Sequence, residues 1–216
     1  MNSRDAILHR IRNRLSGGPP VAAPPVPEVW RRENGDPETL AGRFAENLKA
    51  VFGEPIRCPS MADAQRQLAD LVQSGAWPEV GALDTPAARE ATAALPADQI
   101  RWVDADWTPR DIAKLPVGLV TADALLADTG TCMIACPTTH QRLMCYLPPA
   151  CIVIGRLGQL AEHLPAAWAD IAGGCRDDES RGECVLVTGP SRTADIEKVL
   201  ILGVHGPKRL VVLVVG

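Results

Sequence analysis

The stretch CVLVTGPSRTADIEKVLILGVHGPKRLVVLVV, residues 184–215, decides the fold of this chain. It opens with the apolar run Cys184–Thr188, passes through a Gly-Pro loop into the helix-like segment Thr193–Leu202, and closes with Leu210–Val215. Runs of β-branched and apolar residues without polar alternation are typical of strands buried on both faces of a sheet. A strand, a helix and a second strand in this order predict an α/β unit.

The preceding chain repeats this alternation. Further strands are predicted at Glu79–Leu83, Gln99–Val103, Val117–Thr121, Thr131–Ala135 and Cys151–Ile154. Further helices are predicted at Pro37–Val51, from the capping residue Ser60 to about Gln73, and at Leu157–Ala172. Thr129-Gly130, between two apolar stretches, is predicted to form a hairpin or tight reversal. The sequence therefore predicts an α/β fold whose sheet is covered on both faces.

The N-terminal segment has a different character. Ser3–Leu15 is predicted to be an amphipathic helix with arginines around its polar face, and the Gly- and Pro-rich stretch from Gly17 to Pro27 cannot continue it. We therefore divide the chain into an N-terminal helix and linker, residues 1–27, and an α/β domain, residues 28–216. Such an arm has three possible docking places: its own domain, a second copy in a homodimer, or another protein.

Composition narrows the class of protein. The 216 residues are 46% hydrophobic and 22% charged, with a formal net charge of −4. This balance offers no concentrated basic face for nucleic acid. No apolar stretch is long enough for a membrane span, and the N-terminus lacks the apolar core of a secretory signal. We expect a cytoplasmic protein that contacts neither membrane nor nucleic acid.

The chain contains seven cysteines. Their odd number argues against a disulfide framework, and none are spaced as C-x₂-C. Cys132, Cys151 and Cys184 lie in apolar runs, where cysteine acts as a small hydrophobic residue. We expect no metal or cofactor on this chain, although a redox sensor built on Cys132 and Cys136 stays a third, less favoured hypothesis.

The junction after Thr188 is the main candidate binding site. If a helix follows the loop, its free N–H groups and partial positive charge favour an anion, and arginine offers a bidentate fork. The predicted ligand-binding residues here are Gly189, Pro190, Ser191, Arg192, Thr193, Asp195 and Glu197. The alternative is that Ser191 or Thr193 only caps the helix, with Asp195 and Glu197 satisfying its dipole.

Other loops complete the predicted ligand-binding set, which also contains Thr129, Gly130, Thr131, His140 and His205. His140 follows a predicted strand and is expected at the same sheet edge as Arg192. His205 lies in a helix-to-strand loop, which normally faces the opposite edge, so we expect it to be remote from Arg192. No nucleophile–base pattern, Walker A or G-x-G-x-x-G sequence is present, and the catalytic residues stay unknown.

Four segments carry a family resemblance: VTGPSRTADIE (187–197), LGVHGPKRL (202–210), LADTGTCMIACP (126–137) and SRDAILHRIR (3–12). They resemble the LUD-domain family, specifically its lactate utilization C-type branch, and the likeness extends over essentially the whole chain. It implies a three-layer α/β/α domain similar to the ribose-phosphate isomerase/CoA-transferase-like folds. It also implies participation in L-lactate oxidation to pyruvate beside partner proteins that carry iron–sulfur centres.

Two functions of different kinds follow. The first is an accessory component of an L-lactate oxidation system that binds a small anion and iron–sulfur partner proteins. The second is a stand-alone enzyme acting on a phosphorylated, CoA-linked or folate-like molecule, for which fold analogy is the only motivation.

Overall fold

The computed structural model describes residues 3–15, 30, 35–168, 183–194 and 200–216. The chain divides into two units, residues 1–31 and 32–216. In the first unit, helix α1 spans Ser3–Leu15, as the sequence predicts, and buries none of its side chains. The predicted linker from Gly17 to Pro27 lies outside the described residues, so the boundary after residue 27 stays a prediction.

The second unit alternates strands and helices. Its helices are α2 Pro37–Ala50, α3 Met61–Ser74, α4 Pro86–Thr92, α5 Pro109–Ile112, α6 Thr139–Met144 and α7, described over residues 164–168. Its strands are β1 Glu54–Cys58, β2 Val80–Leu83, β3 Ile100–Val103, β4 Val117–Thr121, β5 Ala124–Leu126, β6 Thr131–Cys136, β7 Ala150–Arg156, β8 Leu160–Ala161, β9 Glu183–Val187, β10 Arg192–Ala194, β11 Leu200–Leu202 and β12 Arg209–Val215.

Six strands form a central parallel sheet in the order β1-β12-β7-β4-β2-β3. The long strands β7 and β12 lie side by side in its interior, with Ala150 beside Arg209 and Arg156 beside Val215. Their unbroken apolar composition is explained by this position, because both faces of a central parallel strand are covered. The predicted α/β fold class is confirmed.

Two hydrophobic clusters pack on opposite faces of this sheet. Along β12, Val211 and Leu213 belong to the cluster with α3 and α4, whereas Leu210 and Val212 belong to the cluster with α2 and α6. Alternate strand residues point to opposite faces, so one apolar run serves both clusters. Phe44 of α2 is fully buried in the second cluster, and burying a side chain of this size contributes about 2–3 kcal/mol.

The face of the central sheet that packs against α2 and α6 is also covered by β-structure. A four-stranded sheet has the order β8-β5-β6-β9, and a separate two-stranded ribbon pairs β10 with β11. Strands β5 and β6 are antiparallel, with Leu126 opposite Thr131, which confirms the reversal predicted at Thr129-Gly130. The outer layers therefore differ: one is helical, and the other combines helices with this smaller sheet.

The predicted helix Leu157–Ala172 is wrong in its first part. Residues Leu157–Gln159 form a single 3₁₀ turn, and β8 follows at Leu160–Ala161 before α7 begins at residue 164. Pairing with β5 decides this conformation, because Leu160 lies beside Leu125 and the Ala127 N–H donates to the Ala161 carbonyl at 2.8 Å. Residues beyond 168 lie outside the described part of the chain.

The predicted helix Thr193–Leu202 is wrong at both of its described ends. Thr193 and Ala194 belong to β10, and residues 200–202 form β11, which runs antiparallel to it with Thr193 opposite Ile201. Residues 195–199 lie outside the described chain. The β-branched side chains of Thr193 and Ile201 favour strands, and the cross-strand hydrogen bonds satisfy backbone groups that a helix would otherwise pair locally.

Candidate functional site

The loops that contain Gly189-Pro190 and Gly206-Pro207 are hydrogen-bonded to each other. The Ser191 N–H donates to the Pro207 carbonyl at 2.8 Å, and the Gly203 N–H donates to the Ser191 carbonyl at the same distance. Arg192 then pairs with Leu202 in the ribbon. A helix between the motifs would have carried the chain to the far edge of the sheet, whereas β10 and β11 return it to its starting point. The expectation that His205 is remote from Arg192 is therefore wrong.

A cleft of about 340 Å³ lies beside this junction. Its lining residues are Tyr146, Leu147, Pro149, Gly203, Val204, His205, Gly206 and Lys208. We call it the Tyr146–Lys208 cleft. The Lys208 N–H donates to the Pro149 carbonyl at 2.8 Å, which fixes the loop against the segment before β7. Its volume is at the small end of the roughly 300–1,000 Å³ typical of small-molecule sites.

The cleft has an electropositive character. The basic residues Lys208 and His205 belong to its lining, and the exposed residue Arg192 lies on the adjoining strand β10. The Ser191 side chain lies next to Gly206, where an added Cβ would be 3.1 Å from the Ser191 Cβ. Cationic donors and a hydroxyl beside an aromatic ring are groups that hold a small carboxylate or phosphate.

The location of the cleft differs from the predicted one. Pro149 and Lys208 immediately precede β7 and β12, so the cleft lies at the amino edge of the parallel sheet. The loop beginning at Gly189 does follow a strand, but that strand is β9 of the smaller antiparallel sheet. The proposed helix N-terminus is wrong as well, because Thr193 belongs to a strand. Asp195 and Glu197 lie outside the described residues.

Gly189 and Pro190 shape the loop. Gly189 has a φ of +80°, and an added Cβ would lie 2.3 Å from the Val51 carbonyl oxygen at the end of α2. Only glycine fits such an approach in this backbone conformation. Pro190 is buried. These two residues position Ser191 and Arg192.

The Thr129-Gly130-Thr131 turn packs on the same helix. Gly130 has a φ of +64°, and an added Cβ would lie 2.3 Å from the Leu48 backbone nitrogen. The Asn47 side-chain amide donates to the Ala127 and Asp128 carbonyls at 2.8 and 3.1 Å. The C-terminal part of α2 therefore anchors this turn as well as Gly189.

A row of hydroxyl groups links this turn to the end of β9. Thr131 Oγ1 lies 2.7 Å from both Thr129 Oγ1 and Thr188 Oγ1. Thr129 donates to the Asp128 carboxylate at 3.2 Å, which uses its one hydroxyl hydrogen. Thr131 must then donate to Thr129, and Thr188 to Thr131. The row joins β6 to β9 at the point where the chain enters the Gly189 loop.

His140 lies elsewhere. Its Nε2 is 2.9 Å from the Trp107 carbonyl, in the segment between β3 and α5. It is not among the described residues that line the Tyr146–Lys208 cleft. The geometry therefore favours a structural contact for His140, whereas the sequence predicted it as a ligand-binding residue at the sheet edge of Arg192.

The described cysteines are mostly core residues. Cys58, Cys132, Cys136, Cys145 and Cys151 are buried, and Cys184 is half-buried. Cys132 and Cys136 lie four residues apart on β6, and the Cys136 thiol donates to the Ile134 carbonyl at 3.6 Å. Burial raises the pKa of Cys151 to about 12, and it raises the pKa of Cys132 further. Within the described ranges, no three side chains of His, Cys, Asp or Glu are arranged to hold a metal ion.

Of the eight residues that line the cleft, the predicted set contains only His205, and it misses the polar residues Lys208 and Tyr146. Lys208 directly follows the Gly-Val-His-Gly-Pro motif, and that adjacency was an available signal. Tyr146 follows α6, more than fifty residues before the motif, and only the packing of α6 brings it to the cleft. No local pattern marks it.

The fold and this site define an α/β protein with a six-stranded parallel sheet and a small electropositive cleft at its amino edge. The LUD domain family model matches residues 41–215. The chain therefore belongs to the LUD domain family. No helix among the described residues is both long and apolar enough to cross a bilayer.

Several curated relatives bear the name lactate utilization protein C. The protein from Geobacillus kaustophilus is 26% identical over an alignment covering 100% of this chain and 97% of its own length. The protein from Macrococcus caseolyticus is 33% identical over 100 residues, 46% of this chain and 43% of its own length. The shorter alignment spans less than half of that relative.

A solved structure supports the fold. The crystal structure of a DUF162 family protein from Deinococcus radiodurans matches with a TM-score of 0.64 and 16% identity. The match covers 84% of this chain and 99% of the other. At this identity the likeness is one of fold.

Proposed function

We propose that this protein is an accessory component of an L-lactate oxidation system and binds a small anion in the Tyr146–Lys208 cleft. The observation that carries the binding proposal is the presence of Lys208 and His205 in one small cleft beside Arg192. The relatives' shared name supports the lactate context. L-lactate and pyruvate are small carboxylates, and a cationic cleft of about 340 Å³ suits both.

The backbone around the cleft is held in place before a ligand arrives. Three hydrogen bonds of 2.8 Å, from Ser191 to Pro207, from Gly203 to Ser191 and from Lys208 to Pro149, connect the loop to the ribbon and to β7. A fixed loop loses little conformational freedom on binding, so more of the charge attraction appears as affinity. Binding by a pre-formed cleft is therefore expected to involve small side-chain movements only.

Titration calorimetry with L-lactate tests the proposal that the Tyr146–Lys208 cleft binds a small anion. We expect Lys208→Met to weaken binding about tenfold, because a charge-assisted hydrogen bond contributes about 1.5 kcal/mol or more. The matched control is Lys49→Met, which removes the same charge from a separate cleft between α2 and β1. Equal affinity for L-lactate and its neutral methyl ester, or an unchanged affinity in Lys208→Met, would refute an anion site here.

The same titration with inorganic phosphate distinguishes the accessory function from the alternative, a stand-alone enzyme that acts on a phosphorylated molecule. A stand-alone enzyme on a phosphorylated substrate predicts tighter binding of phosphate than of L-lactate in this cleft. The accessory function predicts the reverse order.

The proposed association with partner proteins is tested separately. We propose that the oxidation chemistry belongs to iron–sulfur partner proteins, as the family resemblance implies. Affinity purification of the chain from cells grown on L-lactate should recover proteins with iron–sulfur absorption. Recovery of the chain without such proteins, under conditions that retain weak complexes, counts against this assignment.

A further inference from the structure

The two glycines that line the Tyr146–Lys208 cleft differ in the reason for which each is a glycine. Gly203 has a φ of +78°, and an added Cβ would lie 2.0 Å from the Lys208 Cγ, so its backbone and the stem of Lys208 both require glycine. The backbone of Gly206 does not adopt a left-handed conformation, so its φ does not call for glycine. The missing side chain at Gly206 is therefore a matter of space.

A side chain at position 206 would enter the gap between Ser191 and Tyr146. An added Cβ would lie 3.1 Å from the Ser191 Cβ, 3.5 Å from the Ser191 Oγ and 3.9 Å from the Tyr146 Cβ. Ser191 is held in place, because its N–H donates to the Pro207 carbonyl and its carbonyl accepts from the Gly203 N–H, both at 2.8 Å. An alanine at position 206 would consequently fill this gap with its methyl group.

The charged and the uncharged residues of the cleft differ in exposure. His205 and Lys208 are exposed, whereas Gly206, Tyr146 and Leu147 are half-buried. A small carboxylate keeps its charged group on the exposed, cationic side, because burying a charge costs more than burying a methyl group gains. The uncharged end of the ligand then points inward, toward Gly206 and Tyr146.

We propose that Gly206 determines which carboxylates the cleft accepts, by leaving room for one methyl group on C2 of the ligand. This inference rests on the anion site proposed above. The Ser191 hydroxyl lies beside the same space and can donate or accept a hydrogen bond, which suits a hydroxyl or keto oxygen on C2. The favoured ligands are therefore 2-hydroxy and 2-oxo monocarboxylates with a methyl group on C2.

Titration calorimetry with glycolate and L-lactate tests this selection. The two ligands have the same charge and the same hydroxyl group, and they differ by one methyl group. We expect the natural chain to bind L-lactate about fourfold more tightly than glycolate, because one more apolar carbon is buried. In Gly206→Ala the affinity for L-lactate should fall about tenfold, while that for glycolate should stay within about twofold of its value in the natural chain. The order of the two affinities should thus be reversed.

The matched control is Gly158→Ala. Gly158 lies in the 3₁₀ turn before β8, and no atom lies within 4 Å of an added Cβ, so both affinities should stay unchanged.

A second change at Ser191 tests the geometry of the gap. Ser191→Gly removes the Cβ and the hydroxyl that face position 206, whereas Ser191→Ala removes the hydroxyl and keeps the Cβ. Combined with Gly206→Ala, Ser191→Gly should therefore restore the preference for L-lactate over glycolate, and Ser191→Ala should not.

The outcomes separate this inference from the proposed anion site. An equal loss of both affinities in Gly206→Ala, or no loss, would show that residue 206 does not select by size, although the cleft binds an anion. If the natural chain binds neither ligand, the anion site and this inference both fail.

Ser191→Gly in the natural chain provides a measurement that does not depend on the folding of Gly206→Ala. It widens the same gap, so the affinity for L-2-hydroxybutyrate relative to L-lactate should rise about fourfold. An unchanged ratio of these two affinities would contradict the proposal.

Discussion

Gly189 lies against the end of helix α2 so closely that a Cβ at this position would be 2.3 Å from the carbonyl oxygen of Val51. The backbone there has a φ of +80°, which side chains other than glycine rarely adopt. This contact fixes the point where the chain leaves β9 and turns toward Ser191 and Arg192. The position of the candidate site thus depends on packing against a helix more than one hundred residues earlier in the sequence.

Gly189→Ala should consequently destabilise the protein by about 3 kcal/mol, since it combines backbone strain with a steric clash. Chemical denaturation measures this change. The control is Gly42→Ala in α2, where no atom lies within 4 Å of the added Cβ and alanine should stabilise the helix by about 0.5–1 kcal/mol. If the Gly189→Ala variant is as stable as the natural chain, the close contact between Gly189 and the Val51 carbonyl is contradicted.

The hydroxyl pair Thr131–Thr188 should contribute a measurable coupling energy. The two Oγ1 atoms are 2.7 Å apart, and Thr131 is only 3% exposed. Replacing both residues by valine, singly and together, gives a double-mutant cycle with an expected coupling of about 1 kcal/mol. Additive effects of the single changes would show that the hydrogen bond does not stabilise the fold.

Arg192→Ala should leave the fold intact and impair the function proposed for the cleft. Arg192 is exposed on β10, so we expect the free energy of unfolding to change by less than about 0.5 kcal/mol. In a strain that depends on this protein, growth on L-lactate should slow. Arg110→Ala, which removes an exposed arginine from α5, serves as the control, and normal growth with Arg192→Ala would count heavily against the binding proposal.

Acid should weaken the capping box of α5. The Thr108 hydroxyl donates to Asp111 at 2.6 Å and, with Lys114, lowers the pKa of Asp111 from its ordinary 3.8 to about 2. The carboxylate therefore stabilises the folded state above its ordinary pKa, and this contribution is lost as the pH falls through about 2. Asp111→Ala should lower the Tm at neutral pH, and the difference from the natural chain should shrink in acid.

The Lys114→Met variant is the control for that experiment. It keeps the capping box and removes only the second cause of the pKa shift, so its Tm should fall less than that of Asp111→Ala. A Tm difference for Asp111→Ala that stays constant from neutral to strongly acidic pH would contradict the assigned pKa.

Much of the fold follows from local patterns. The predicted strand Val117–Thr121 coincides with β4, and the predicted helix Ser3–Leu15 coincides with α1. Ser60 caps α3 as predicted, its side chain accepting from the Asp63 N–H at 3.2 Å. Strand β1, Glu54–Cys58, was missed because proline and charged residues interrupt it, as is common at the edge of a sheet.

The candidate site was predicted less well than the fold. Ser191, Arg192 and His205 were chosen from the sequence, but they were expected at opposite edges of one sheet. Residues 157–161 and 193–202 have helical spacing of apolar residues, yet Leu160–Ala161 pair as strand β8, and the described parts of 193–202 pair within strands β10 and β11. Strand β8 pairs with β5, which is distant in the sequence, and β10 pairs with β11 across residues 195–199; the spacing of apolar residues reports neither pairing.

By itself, the sequence determined the alternation of apolar strands with helices, since a strand buried on both faces must be apolar throughout its length. It also determined where glycine was needed, at Gly130 and Gly189. Tertiary structure alone decided that the chain after Arg192 returns as a β-ribbon and brings Ser191, His205, Lys208 and Tyr146 together. The physical reason is that the cross-strand hydrogen bonds of β10 and β11, together with those from Ser191 to Pro207 and from Gly203 to Ser191, outweighed the weak local preference of Thr193–Leu202 for a helix.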